Sequence, residues 1–297
     1  MTQGSGVTYA QGFTAAGVAC GIKKKGGPDL AIVKCDVRAR AAGIFTRNIV
    51  KGHSLMLARK NVRNGYAQLV VINAGCANAC LGPRGDADAL EMARLAANRF
   101  GVRPEDVLTG STGVIGFPLP LDKIAAGLDA AVLSRSGGAN AARAIMTTDT
   151  VPKEAQADVT IGGRTVRIGG MAKGSGMIHP NMATLISVLT TDAAISVSAL
   201  RQALREAAAV SYNRISVDGD TSVCDKVLIL ASGLAGNNVI EPGTEEYARF
   251  TAALKDVCIR LAKMLAADGE GATKLLTIQV KNARSARDAH LIASAIA

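Results

Sequence analysis

Short apolar runs of strand length alternate along this chain with longer stretches whose apolar residues recur at helical spacing. That alternation confines it to a mixed α/β (α+β) architecture. Leu30-Ala31-Ile32-Val33 and Gln68-Leu69-Val70-Val71-Ile72-Asn73 read as buried strands bounded by turn formers. Asp86 to Phe100, Val197 to Val210 and Glu245 to Ala266 carry helical periodicity. So does Leu121 to Leu133, entered after Pro118 and Pro120. Ala157 to Gly169 reads as a hairpin turning at Gly162-Gly163. Leu185 to Leu189 and Leu275 to Val280 read as short strands. Arg284 to Ala297 reads as a helix that the sequence leaves in mid-pattern, with no capping residue after Ile296-Ala297.

The chain has 297 residues, enough for one large domain or two modest ones. Aromatic residues make up only 3% and tryptophan is absent, so Ala, Val, Ile, Leu and Met must fill the core. Net charge is +10, but the cations are dispersed and few aromatics are available for base stacking. Nucleic acid is therefore not expected as a partner, whereas a positive field suits small anionic substrates. No apolar run approaches the ~18 residues of a membrane span, and the N-terminus lacks a signal-peptide pattern. The sequence thus reads as soluble, cytoplasmic and without a membrane partner. Six scattered cysteines, with Cys76 and Cys80 as the one close pair, fit small buried thiols better than a zinc site, and no metal is expected.

The chemistry concentrates in Lys173-Gly174-Ser175-Gly176-Met177-Ile178-His179-Pro180-Asn181-Met182-Ala183-Thr184. Glycines after a lysine let the loop approach a substrate closely, and Pro180 stiffens the entry to the next strand. A threonine hydroxyl is a weak nucleophile without a base beside it. Scission of the Ala183–Thr184 bond would give Thr184 a free α-amine within reach of its own hydroxyl, so one residue would supply nucleophile and base. Taken alone, a threonine at the start of a strand is more often structural.

This string, continuing through Thr190-Thr191-Asp192-Ala193, resembles the self-processing signature of the ornithine acetyltransferase family, also called glutamate N-acetyltransferase. Further elements follow in family order over essentially the whole chain. Gly12-Phe13 and Val18 to Lys23 resemble an N-terminal strand pair; Phe45-Thr46-Arg47-Asn48 resembles an F-T-x-N element. Asn73 to Cys80 is similar to N-x-G-x-A-N-A-C, and Ser111 to Gly116 to S-T-G-V-I-G. Thr147 to Lys153, Val217 to Ser222 and Gly269 to Lys274 are similar to T-T-D-T-x-P-K, V-D-G-D-T-S and G-E-G-A-T-K.

The resemblance implies a self-processing, N-terminal-nucleophile-type acetyltransferase fold, with sheet layers packed against helices. An α chain, 1–183, and a β chain, 184–297, would stay associated and pair into a heterotetramer. It implies that Thr184 takes acetyl from N-acetylornithine and passes it to glutamate, in arginine biosynthesis. By the same resemblance Thr112 and Gly113 form the oxyanion hole, and Thr150, Lys173, Thr184 and Glu270 contact substrate. A glycine turn at 113, a solvated Lys173 and an ordinary surface Glu270 are the plain alternatives. No cofactor is expected; acetyl-CoA stays open as a second donor.

His179 falls at a variable motif position and reads as structural. His53 and His290 read as surface or packing residues, and Asp218, Asp220 and Asp225 as a polar turn network. Cys76 stands where the family often has asparagine, and Val223-Cys224 where it often has Thr-Asn. Family members usually continue past the last helix with S-P-L-V-K-T and D-P-N-W-G-R segments and a C-terminal Asn and Ser or Thr at the substrate site. None of these occurs in this sequence. An N-terminal-nucleophile amidohydrolase or aminopeptidase, or a shortened inactive homologue, are the rival readings.

Overall fold

The computed structural model describes residues 5–179 and 185–297. Eight strands form one hydrogen-bonded sheet. They are β1 (Phe13–Val18), β2 (Leu30–Phe45), β3 (Tyr66–Cys76), β4 (Val107–Val114), β5 (Lys153–Ile161), β6 (Arg164–Lys173), β7 (Ile186–Thr191) and β8 (Lys226–Ala231). The order across the sheet is β4-β3-β2-β8-β7-β6-β5, with β1 paired to the first half of β2. The β3–β4 and β7–β8 pairs are parallel and the others antiparallel.

Helices cover both faces. On one side α5 (Val197–Val210) and α6 (Glu245–Ala267) pack over β5–β8. Helix α6 buries Phe250, Leu254, Val257, Cys258, Leu261 and Leu265, the i, i+3, i+4, i+7 stripe expected of a core-facing helix. Each of its large apolar side chains contributes roughly 1.5–3 kcal/mol relative to exposure. Helix α5 instead buries Ala199, Ala203, Ala207 and Ala208 around Leu200 and Leu204, so it lies close to the sheet. Ser196 and Thr244 cap these two helices by accepting the amides of Ala199 and Tyr247. On the opposite face α4 (Gly138–Ala144) closes a second cluster. The pair α2 (Pro83–Phe100) and α3 (Leu121–Ala130) closes a third beside β3 and β4. Helix α1 (His53–Asn61) packs near β4 through Ser54, whose hydroxyl meets that of Ser111 at 2.7 Å.

Three predicted elements differ from the structure. Leu275 to Val280 forms no strand: among the described residues it has no ladder partner, and Leu276 is 81% exposed. The helix from Leu121 stops at Ala130 rather than Leu133, because Ser134 exchanges backbone hydrogen bonds with Ala15 and draws the chain into extended form. The β2 strand runs on to Phe45, past a polar stretch with a register shift between Lys34 and Ala39 that hides it from apolar-run counting. The final helix, α7 (Ala286–Ile296), is capped at its start by Ser285 and buries none of its residues.

Lys226 opens β8 with no exposed surface, its Nζ donating to the Thr109 carbonyl at 3.0 Å. Burial pulls its ammonium down from the ordinary 10.5 to about 8, against the pull of Cys224 and Asp225. Between those values the unfolded chain binds more protons, so stability rises with pH there; below about 8 the full penalty persists, on the order of 3 kcal/mol. Lys226→Met is expected to raise stability at neutral pH by about 1–2 kcal/mol after loss of the Thr109 bond. Urea midpoints should show the gain shrinking steadily as pH climbs towards 10.5.

Candidate active site

The site gathers where the parallel β3–β4 pair ends beside the loop that follows β6. Gly113 pairs with Gly75 and has φ +127. A Cβ at 113 would lie 2.4 Å from the Gly75 carbonyl carbon, so only glycine lets the two backbones meet. Thr112, one residue earlier, is buried, and its hydroxyl accepts from Lys173 Nζ at 3.3 Å. Lys173 ends β6 and is itself buried. Burial lowers its pKa, and the nearby carboxylates Asp149 and Asp225 oppose that fall. The predicted oxyanion-hole threonine and the predicted substrate lysine are thus in contact.

Asp149 organises the next layer. Its Oδ1 accepts from the Gly174 amide at 2.6 Å and from Lys153 Nζ at 2.7 Å. Burial would raise its pKa, but Lys173, the Gly174 amide and Lys153 outweigh burial and the net shift is downward. Lys153 is fully buried and bridges Asp149 to Asp268 Oδ2, at 2.6 Å. Asp268 in turn takes both the amide and the hydroxyl of Thr150, which is exposed. The Ser175 hydroxyl donates to the Asp268 carbonyl at 2.6 Å, and the Glu270 amide donates to the Ser175 carbonyl at 2.9 Å. The Glu270 carboxylate lies against Gly176, where an added Cβ would sit 2.6 Å from its carboxyl carbon. Thr112, Lys173, Thr150 and Glu270 therefore converge on the 174–176 turn. The predicted nucleophile Thr184, with Ala183 and the bond between them, lies outside the described residues.

Both flanks of that segment are clamped by carboxylates from one loop. Asp218 accepts the amides of Met177 and Ile178, holding Met177 at φ +58, and Val217 donates to the Ile178 carbonyl. On the far side Leu185, covalently next to Thr184, donates its amide to Asp225 Oδ1 at 2.9 Å. Asp225 is buried, its Oδ2 has no partner among the described residues, and burial raises its carboxyl well above the ordinary range. The predicted turn network is here a pair of clamps.

Sequence reasoning singled out Thr150 in its motif but missed Asp149 and Lys153 beside it. It also missed Asp268 and the clamp function of Asp225. Buried charge was the available signal: Asp149 and Lys153 sit four apart, an ion-pair spacing. Lys23 belongs to the same field, since Asp149 and Lys173 both act on its pKa.

The remaining predicted side chains fall into place. His53 packs on Gly85 and bonds Asp86 at 2.7 Å, while His179 meets the Ser216 hydroxyl at 3.3 Å. Cys35, Cys76, Cys224 and Cys258 are buried; Cys20 is half-buried and Cys80 is exposed, against the expectation of buried thiols throughout. Cys224 joins Val223, Ala77 and Ala79 in one small apolar cluster and reaches the Ala77 carbonyl at 3.6 Å. Cys76 packs instead in the cluster beside β3 and β4, its thiol donating to the Phe117 carbonyl at 3.1 Å. Among the described residues no group of three His, Cys, Asp or Glu side chains could hold a metal. No described helix is long and apolar enough to cross a membrane.

This architecture falls in the class of Ntn hydrolase-like folds. The backbone is similar to that of the L-aminopeptidase D-Ala-esterase/amidase of Ochrobactrum anthropi, described as a variant of the Ntn hydrolase fold. The TM-score is 0.57 over 90% of this chain and 88% of that one, and 14% identity restricts the likeness to fold. Within that class the chain belongs to the ArgJ family, whose model matches residues 14–297. It is 55% identical to the arginine biosynthesis bifunctional protein ArgJ of Symbiobacterium thermophilum, over 98% of this chain and 73% of that protein. It is also similar to a solved ornithine acetyltransferase of Mycobacterium tuberculosis, in complex with ornithine (TM-score 0.54, 38% identity, 61% of this chain and 96% of that one).

Glycine contacts at the site give a direct contrast. Gly116 has φ +86 with nothing within 4 Å of an added Cβ, whereas Gly113 meets Gly75. Gly116→Ala is expected to cost roughly 1 kcal/mol from backbone strain alone. Gly113→Ala should cost a further 1–3 kcal/mol or so from the clash. Paired urea denaturation curves check the difference.

Proposed function

We propose that this chain is an acetyltransferase of arginine biosynthesis that cuts itself at Ala183–Thr184 and moves acetyl from N-acetylornithine to glutamate. The observation that carries the reading is that Thr112 meets Lys173, at the entry to the 174–176 turn, while Thr150 and Glu270 reach that turn through Asp268 and Gly176. The family membership and the relatives named ArgJ and ornithine acetyltransferase support it.

In the first step Thr184 Oγ attacks the Ala183 carbonyl, the C–N bond breaks, and the resulting ester is hydrolysed by water. Thr184 then carries a free α-amine that titrates close to neutral pH. In turnover that amine accepts the hydroxyl proton as Oγ adds to the acetyl carbonyl of N-acetylornithine. The negative oxygen would face the Thr112 hydroxyl and the Gly113 amide, where one donor is typically worth about 3 kcal/mol. Collapse breaks the amide C–N bond, the ammonium returns its proton to the leaving amine, and ornithine departs. The amine of glutamate attacks the acetyl ester, the C–O bond breaks, and Thr184 recovers its hydroxyl. Lys173 would pair with the α-carboxylate common to both amino acids, and the Glu270 carboxylate with an amino group. As proposed, the cycle calls on no metal or cofactor, and acetyl-CoA is an alternative donor.

After scission the α chain, 1–183, and β chain, 184–297, would remain together. Strands β7 and β8 follow the cut and lie between β2 and β6, which precede it, so separation would break two ladders of the sheet. Pairing of two such heterodimers into a heterotetramer completes the proposal.

Thr184→Ala should leave a single chain of 30.4 kDa under denaturing mass analysis. It should also lower acetyl transfer roughly a thousandfold or more. Wild type should yield a fragment beginning at Thr184. Ornithine release from N-acetylornithine should depend on glutamate; release indifferent to glutamate would assign water as the acceptor. N-acetylglutamate formed from acetyl-CoA without acetylornithine would establish the second donor.

A further inference from the structure

A cavity of about 650 Å³ opens between α1, α5 and the end of β2, away from the Thr112–Lys173 contact. Six cations line it: Arg47, Lys51, Arg59, Arg63, Arg201 and Arg205. No carboxylate lines it, and none of the six belongs to an ion pair among the described residues. Arg201 is tethered instead to the Arg63 carbonyl at 2.6 Å, and Lys51 to the Asn48 carbonyl, so two of the cations are positioned by backbone.

Gathering like charges around one concavity raises the free energy of the empty state, and an anion relieves it. A volume of this size suits a small molecule rather than a polymer. The wall is not uniformly polar: Phe45, Ile44, Val62 and Leu204 also line it, with the Phe45 ring half-buried. Guanidinium groups matched to phosphate oxygens, next to an aromatic and aliphatic wall, complement a ligand with several phosphates and a flat base.

One residue of the wall is hydrogen-bonded to the loop that clamps Leu185. Thr46, in its wall, donates its amide to the Asp225 carbonyl at 3.0 Å and its hydroxyl to the Ser222 carbonyl at 3.0 Å. The Asp225 side chain holds Leu185, the neighbour of Thr184.

We propose that this cavity binds the phosphate groups of a nucleotide-type ligand. Two sources share that chemistry, a free nucleotide and the phosphoadenosine end of an acyl-carrying coenzyme A. The site is defined by binding and does not require that the acetyl-transfer reading hold.

Isothermal titration of the full chain with ADP, and separately with coenzyme A, tests it without turnover. Saturable binding that weakens as salt rises is expected for at least one of them. The Arg59→Ser/Arg63→Ser double variant, confined to exposed side chains, should weaken it by roughly tenfold or more. Tighter binding of coenzyme A than of ADP would place the acyl donor there; equal binding would assign a free nucleotide. If neither binds, or if binding is unchanged in the double variant and in Arg205→Glu, the proposal is overturned.

Discussion

A buried ammonium governs this molecule. Lys173 sits out of water at the end of β6, one hydrogen bond from Thr112, and desolvation works against its charge. Asp149 offsets that cost, and Asp149 is in turn held by the Gly174 amide and by Lys153. Lys153 reaches Asp268, and Asp268 fixes Thr150 and, through its carbonyl, Ser175. Removing one member of such a chain leaves an uncompensated buried charge, which costs more than the pair itself contributes. The 174–176 turn is therefore held by charge on one side and by β6 on the other.

The sheet converts that local order into a shared framework. Across its middle, β8 and β7, which follow Thr184, lie between β2 and β6, which precede it. Asp218 and Asp225 grip the backbone on either side of the segment the chemistry requires. A peptide bond held at both flanks can be cut with its new ends staying near the site, the geometry that an N-terminal nucleophile needs. The small residues of α5, Ala199 through Ala208, let a helix lie close to these central strands without large side chains.

Much of this was legible in the sequence, for identifiable reasons. Helices α2, α5 and α6 announced themselves through apolar periodicity. The hairpin at Gly162-Gly163 followed from its turn chemistry, though its ladder runs longer, from Lys153 to Ala172. The 275–280 segment misled because strand propensity says nothing of a partner, and none is at hand among the described residues. Helix α4 gave little signal, being built from Gly138, Asn140, Arg143 and alanines. At the site, motif resemblance named residues that the fold does bring together: Thr112, Lys173, Thr150 and Glu270. It passed over Asp149, Lys153 and Asp268, whose part is to support neighbours through contacts made between distant stretches of chain. The cation-lined cavity was invisible for the same reason, since Arg59 and Arg201 meet only when α1 and α5 are packed.

In the proposed cycle one threonine carries the acetyl group between two amino acids. Incubation with N-acetylornithine in the absence of glutamate, followed by acid quench and peptide mapping by mass spectrometry, examines it directly. The account predicts a single acetyl adduct on the peptide that begins at Thr184, borne on its side-chain oxygen and discharged on adding glutamate. An adduct on any other residue, or full turnover by chain whose 183–184 bond is intact, would contradict it.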